Sequence, residues 1–214
     1  MKEDVLEQIV DDYLQAQGYF TRHNIKFRPE PSESGYVSRE HSVHSDIDVI
    51  GVNPLLDGPD RVRVVSCKAW QAGFGATLLL KRLRGEAPDG KRATWRHMRE
   101  LWDPLWAQAF RRKVAAVTGS ERFHYSFAVT VIKGDPGLWQ DEKRIRDNLD
   151  GNPFSFLTLE EMWRSMLEGI TRTPEGSDIG RLVQLLKAAG LTSVPPATPA
   201  GPETPPEDAD GEPE

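Results

Sequence analysis

The chain has one cysteine, Cys67, in 214 residues. That excludes an internal disulfide and a zinc site built on cysteines. No apolar run approaches the roughly 20 residues that a membrane-spanning helix needs, so no membrane partner is expected. The opening MKEDVLEQIV is acidic and lacks the basic-then-apolar order of a secretion signal. A cytoplasmic setting is therefore the expectation. There is no internal repeat, so a solenoid or propeller is not indicated. What remains, with 38% hydrophobic and 28% charged residues, is one folded domain of ordinary size with an appended segment.

That segment is the stretch from Thr192 to Glu214, rich in proline and acids and without lysine or arginine. It has almost no core-forming residue and is expected to be disordered. Its six acids reduce the 33 of the whole chain to 27, equal to the 27 bases. The net charge of −6 thus belongs to the tail, and the neutral folded part is compatible with a nucleic-acid partner.

Residues 3–17 predict an amphipathic helix with Val5, Leu6, Ile9, Tyr13 and Leu14 on one stripe and Glu7 at its border. A strand follows from Tyr19, closed by Pro29 and Pro31, and then a polar loop over 30–44. After the strand ending in Lys68, the stretch 69–86 predicts a glycine-containing bend and then a helix. A helical stretch follows over 94–117, where Pro104 starts a second segment or kinks the first. Its apolar stripe is Trp95, Met98, Trp102, Leu105 and Trp106. A strand lies within 122–134, a turn and helix within 135–151, and a short strand at 154–158. A helix enters through Thr158 with Glu161 as a capping box, and a last one ends at Gly190.

The chemistry concentrates between Ser45 and Gln71. SDIDVIGV and RVRVVSCKAWQ are two apolar strands joined by a turn-rich loop, which predicts a hairpin. Alternation puts Asp46 and Asp48 on one face, with Ile47 and Val49 on the other, and puts Ser66 and Lys68 together. If the strands pair, Asp48 and Lys68 meet at the strand ends. A cross-strand ion pair is one outcome. The other is a site for a divalent cation and an attacking water. Charged groups inside apolar runs are costly unless they are paired or used. His41 and His44 lie just upstream, as candidate ligands or as surface histidines. Between Lys81 and Lys113 ten bases face four acids, the only strongly basic region. Arg96, Arg99, Arg111, Arg112 and Lys113 are its candidate phosphate contacts, a solvated helix face being the alternative.

The order helix with Glu7, strand, strand with Asp48, strand ending in Lys68, helix, strand resembles the PD-(D/E)XK nuclease superfamily, over roughly residues 3–133. EQIVDDYLQAQGYF resembles the first helix of its small resolvase-like members, SDIDVIGV the strand with the catalytic aspartate, and VVSCKAWQ the strand of the signature lysine. The resemblance implies an α/β, restriction-endonuclease-like αβββαβ core with a mixed central sheet flanked by helices. Helices at about 138–190 are appended, within a domain of residues 1–191. It further implies a metal-dependent nuclease, acting on DNA and of restriction or phage-defence type, alone, as a homodimer or with a partner subunit. Mg²⁺ or Mn²⁺ would be held by Asp48, with Glu7, Asp46 and the Cys67 backbone carbonyl as further ligands. Glu7, Asp48, Lys68 and Gln71 would be the catalytic set. The chain departs from the signature at Ser66, which occupies the usual acidic position. Asp46 and Glu40 are the candidates to replace that carboxylate. The other implied role is a nucleic-acid-binding or scaffold subunit that keeps the fold with a weakened site.

Overall fold

The computed structural model describes residues 4–89, 93–171, 173 and 176–191. The acidic tail, Lys91 and Arg92 lie outside them. The first helix, α1 (Val5–Ala16), starts where the Asp4 carboxylate accepts the Leu6 N–H at 2.8 Å. Its buried face is Leu6, Ile9, Val10 and Leu14. Val5, predicted on that face, is the first helical residue and 59% exposed, and Val10 is buried there instead.

The eight-residue strands β1 (Phe20–Phe27) and β2 (Ser45–Val52) pair antiparallel. The long connection between them holds the short helix α2 (Ser38–His41). A 3-10 turn at Gly58–Arg61 leads from β2 into β3 (Val62–Lys68), again antiparallel, so the predicted hairpin is present. β3 then pairs in parallel with β5 (His124–Val129), which pairs in parallel with β7 (Phe154–Thr158). The result is a five-stranded mixed sheet in the order β1-β2-β3-β5-β7. The chain is thus a mixed α/β fold with helices on both faces of the sheet.

The stretch predicted as one strand over 122–134 divides. β5 ends at Val129, and β6 (Ile132–Lys133) forms a separate two-stranded ribbon with β4 (Phe74–Gly75). The predicted helical stretch over 94–117 also divides. It becomes a 3-10 turn at Thr94–His97, a short helix α4 (Arg99–Trp102) and a longer α5 (Pro104–Thr118). Pro104 starts the new helix, where its missing N–H costs nothing, and the Asp103 carboxylate accepts from the Leu105 and Trp106 amides.

Two apolar layers sandwich the sheet. On one face Val62, Val64, Tyr125, Phe127 and Val129 pack with α3 (Ala76–Leu83), α4, α5, α6 (Gly137–Gln140) and α7 (Lys143–Asn148). On the other, Val49, Val65 and Ala128 pack with α1, α8 (Leu159–Gly169) and α9 (Asp178–Ala188). The Thr158–Glu161 capping box opens α8 as expected. Ile47, expected to share the side of Val49, instead joins the α3–α7 cluster together with Ile25. The backbone is irregular at this level. Asn24, opposite Asp48 in register, has a left-handed φ of 51°.

One glycine fixes how β3 leaves the sheet. Gly73 has φ +83°, and a Cβ there would lie 2.6 Å from Val131 Cγ1. Its N–H donates to the Trp70 carbonyl, and the Phe74 N–H donates to Val131 O. Gly73→Ala combines a backbone cost of about 1–3 kcal/mol with that collision. Gly85, with φ +77° and open space around it, carries only the backbone cost. Urea titration should therefore find Gly73→Ala the more destabilised of the two. Equal midpoints would show that the 73–131 approach is not tight in solution.

Candidate functional site

The β2–β3 ladder runs from Val52–Val62 to Val49–Val65 and stops. Beyond it the Cys67 N–H donates to Asp48 Oδ2 at 2.6 Å, and the Ser66 hydroxyl donates to the same oxygen at 3.2 Å. Lys68 Nζ donates to Ser66 Oγ at 2.9 Å and lies 5.5 Å from the centroid of the Phe127 ring. The alternation that buries Val62 and Val64 carries Ser66 and Lys68 onto the same face. Asp48 and Lys68 come together as expected, but through Ser66. Ser66 acts there as a relay, donating to the carboxylate and accepting from the ammonium.

Burial pushes the Asp48 carboxyl above the ordinary carboxylate range. Lys68, the Cys67 N–H and Ser66 pull it down without cancelling the rise, and Asp46 adds to it. The Cys67 thiol lies on the opposite face, against the α1 cluster. Burial and the charges of Asp48 and Glu7 raise it well above its ordinary value. It therefore stays protonated at neutral pH and is no nucleophile.

Asp48, Ser66, Cys67 and Lys68 line an open cleft of about 370 Å³ at the C-terminal end of β3. This is where antiparallel pairing gives way to parallel pairing. Its other walls are His44, Ser45 and Asp46 from the start of β2, Trp70 beyond β3, and Arg96, His97, Arg99 and Glu100 around α4. The Arg99 guanidinium lies over the Trp106 ring at 4.9 Å, and its Nε donates to Arg96 O. Burial and the neighbouring Arg96 both lower the Arg99 pKa. Two cations that destabilise each other this way are relieved by an anion between them.

Glu100 was not anticipated. It is a buried carboxylate, 7% exposed, that accepts from the Tyr125 hydroxyl at 2.5 Å. Burial and Glu100 hold the Tyr125 phenol well above its ordinary value, and Ser66 pulls against that rise. Glu100 lines the same cleft as Ser66, the residue that stands where an acid was expected. Its sequence signal was an acid set between Met98, Leu101 and Trp102 in the basic stretch. Asp46 is exposed at the cleft, whereas Glu40 is in α2 and does not line it.

The cleft leaves out several of the expected residues. Glu7 lies on α1, where its charge bears on the Cys67 thiol, and does not line the cleft. Gln71 is exposed beyond the strand end. His41 is buried, accepting the Val37 N–H on Nδ1, with Asp103 3.7 Å from Nε2. Of the described bases of the basic stretch only Arg96 and Arg99 line the cleft. Arg111 bonds to Asp147 O and pairs with Asp150, while Arg112 pairs with Glu30 and Glu33, and Arg84 with Glu142. Lys113 is partly buried on α5, outside the cleft. Among the described residues no group of three or more His, Cys, Asp or Glu is placed to hold a metal ion, and no helix is long and apolar enough to cross a membrane.

In EDTA, Asp48→Asn should melt no lower than wild type at pH 7. The folded carboxyl binds its proton at higher pH than the unfolded one, so stability is lost as pH rises through the interval between the two values. The advantage of Asn is present above that interval and should vanish as pH falls below the ordinary carboxylate value. A variant that melts well below wild type at pH 7 would show the ionised carboxylate to be net stabilising.

No protein-family profile matches the chain, and no curated protein and no solved structure matches it.

Proposed function

We propose that the protein is a metal-dependent nuclease with a restriction-endonuclease-like core, hydrolysing phosphodiester bonds in nucleic acid, with DNA as the substrate expected. The observation that carries this reading is the convergence of Asp48, Ser66 and Lys68 where β2 and β3 part, in a cleft that also holds Arg96 and Arg99. The order of α1, three antiparallel strands, α3 and a parallel β5 supports the fold assignment.

The donor set suits Mg²⁺ or Mn²⁺ in one form and not in another. A cage of protein ligands is absent among the described residues. Mg²⁺, however, commonly takes one or two carboxylates, waters and substrate phosphate. Asp48 and the Cys67 carbonyl would hold it, with Glu100 as the second carboxylate in place of Ser66. The ion would supply Lewis-acid polarisation of the phosphate and a more acidic bound water. The protein's own part is then definite. Lys68, held by Ser66, orients the attacking water and offsets charge on the phosphate, and Arg96 and Arg99 grip phosphate. Tyr125 fixes Glu100 with a proton that it does not give up at neutral pH.

A nucleic-acid-binding or scaffold role without hydrolysis is the second reading, favoured by the absence of a three-ligand group. Nicking of supercoiled plasmid with Mg²⁺ or Mn²⁺, at two salt concentrations, separates the two. Hydrolysis requires that Asp48→Asn, Lys68→Met and Glu100→Gln each lower the rate by at least about 100-fold. Cleavage that survives both Asp48→Asn and Lys68→Met puts the site elsewhere. Salt-sensitive binding without cleavage of any DNA or RNA selects the second reading.

A further inference from the structure

The cleft has an aromatic corner that phosphodiester chemistry does not require. The Trp70 carbonyl is held by the Thr130 hydroxyl at 2.7 Å and by the Gly73 N–H at 2.9 Å. Its indole lies parallel to the buried Phe74 ring, 6° between planes and 5.6 Å between centroids. His97 stands perpendicular to it, at 89° and 6.4 Å. Both rings line the cleft with Asp48 and Lys68, and Arg96, exposed, stands next to His97. An indole fixed by its backbone and by a stacked neighbour has little freedom left to lose when a planar group settles against it.

We propose that the cleft takes one unpaired nucleotide, its base against Trp70 and His97 and its phosphates against Arg96 and Arg99. The substrate is then single-stranded or locally unpaired nucleic acid rather than intact duplex. The inference rests on the nucleic-acid reading above and names the substrate class of the same site. A base inside a duplex is covered on both faces by its neighbours and reaches a side-chain ring only after leaving the stack. A volume of about 370 Å³ is at the low end of the range of small-molecule sites, about 300–1,000 Å³. That suits a nucleotide and is small for a stacked base-pair step. Stacking on fixed aromatic rings beside a basic groove is how single strands are held without sequence preference.

Fluorescence anisotropy with the full chain in EDTA tests this without any cleavage. The probes are a short labelled single strand, the same length of abasic strand with its phosphates kept, and the corresponding duplex. Wild type should bind the base-bearing strand about tenfold or more tighter than either of the others. His97→Ala and Trp70→Leu should lose that preference and leave abasic binding unchanged. Arg96→Ala should weaken binding to all three. His97 is exposed, and the abasic comparison needs no variant. Duplex bound as tightly as the base-bearing strand, or no difference between base-bearing and abasic strands, overturns the inference. Magnesium-dependent cleavage of duplex alongside that result leaves the nuclease reading standing. A base-dependent preference without cleavage upholds the inference and moves the protein to the binding reading. Absence of binding to every probe overturns both.

Discussion

The carboxylate of Asp48 on the Cys67 amide is the contact on which the rest of the site depends. It takes a backbone donor just past the last ladder pair and so marks where β2 and β3 part. A charged acceptor at 2.6 Å is a strong partner for that N–H, but the carboxylate is held where burial disfavours its charge. Ser66 and Lys68 offset part of this cost. A carboxyl whose pKa the fold shifts by burial and by specific neighbours is a common feature of working sites.

The two faces of β3 then have separate tasks. Val65 and Cys67 close the α1 layer, and the raised thiol pKa keeps that side chemically quiet. Ser66 and Lys68 extend the other face past the end of the core, above Phe127. There α4 delivers Arg99 and Glu100 on adjacent positions, one turned to the cleft over Trp106 and one buried on Tyr125. The break of the 94–117 stretch into a turn and two helices makes this placement possible. A continuous helix would carry Arg96 and Arg99 along the α5 axis, whereas the chain bends at Asp103 and Pro104.

Period-two alternation made Asp48, Ser66 and Lys68 legible in the sequence, because a strand's facing is set by counting and the turn-rich loop set the pairing. Glu161 was legible as a cap for the same local reason. Glu7 was harder. Its spacing from Tyr13 is a sequence property, but the side of the sheet it approaches depends on how α1 packs, and Val65 and Cys67 set that. Glu100 and Trp70 reach the cleft only through tertiary contacts, with Tyr125 and with Phe74 and Thr130, which no local pattern encodes. The basic stretch looked uniform in sequence. Folding divides it, because Arg84, Arg111 and Arg112 meet acids from distant segments, leaving Arg96 and Arg99 at the cleft.

The central claim is the proposal that Asp48 and the Cys67 carbonyl, with Glu100 beside them, hold the cation at the strand end. Backbone amide NMR during titration with Mn²⁺ in the presence of a short oligonucleotide tests it most directly. Paramagnetic broadening should appear first at the amides of Asp48, Ser66 and Cys67, spread next to Arg99 and Glu100, and disappear in Asp48→Asn. Broadening centred on another part of the chain, or an unbroadened Cys67 amide at saturating Mn²⁺, would contradict the account.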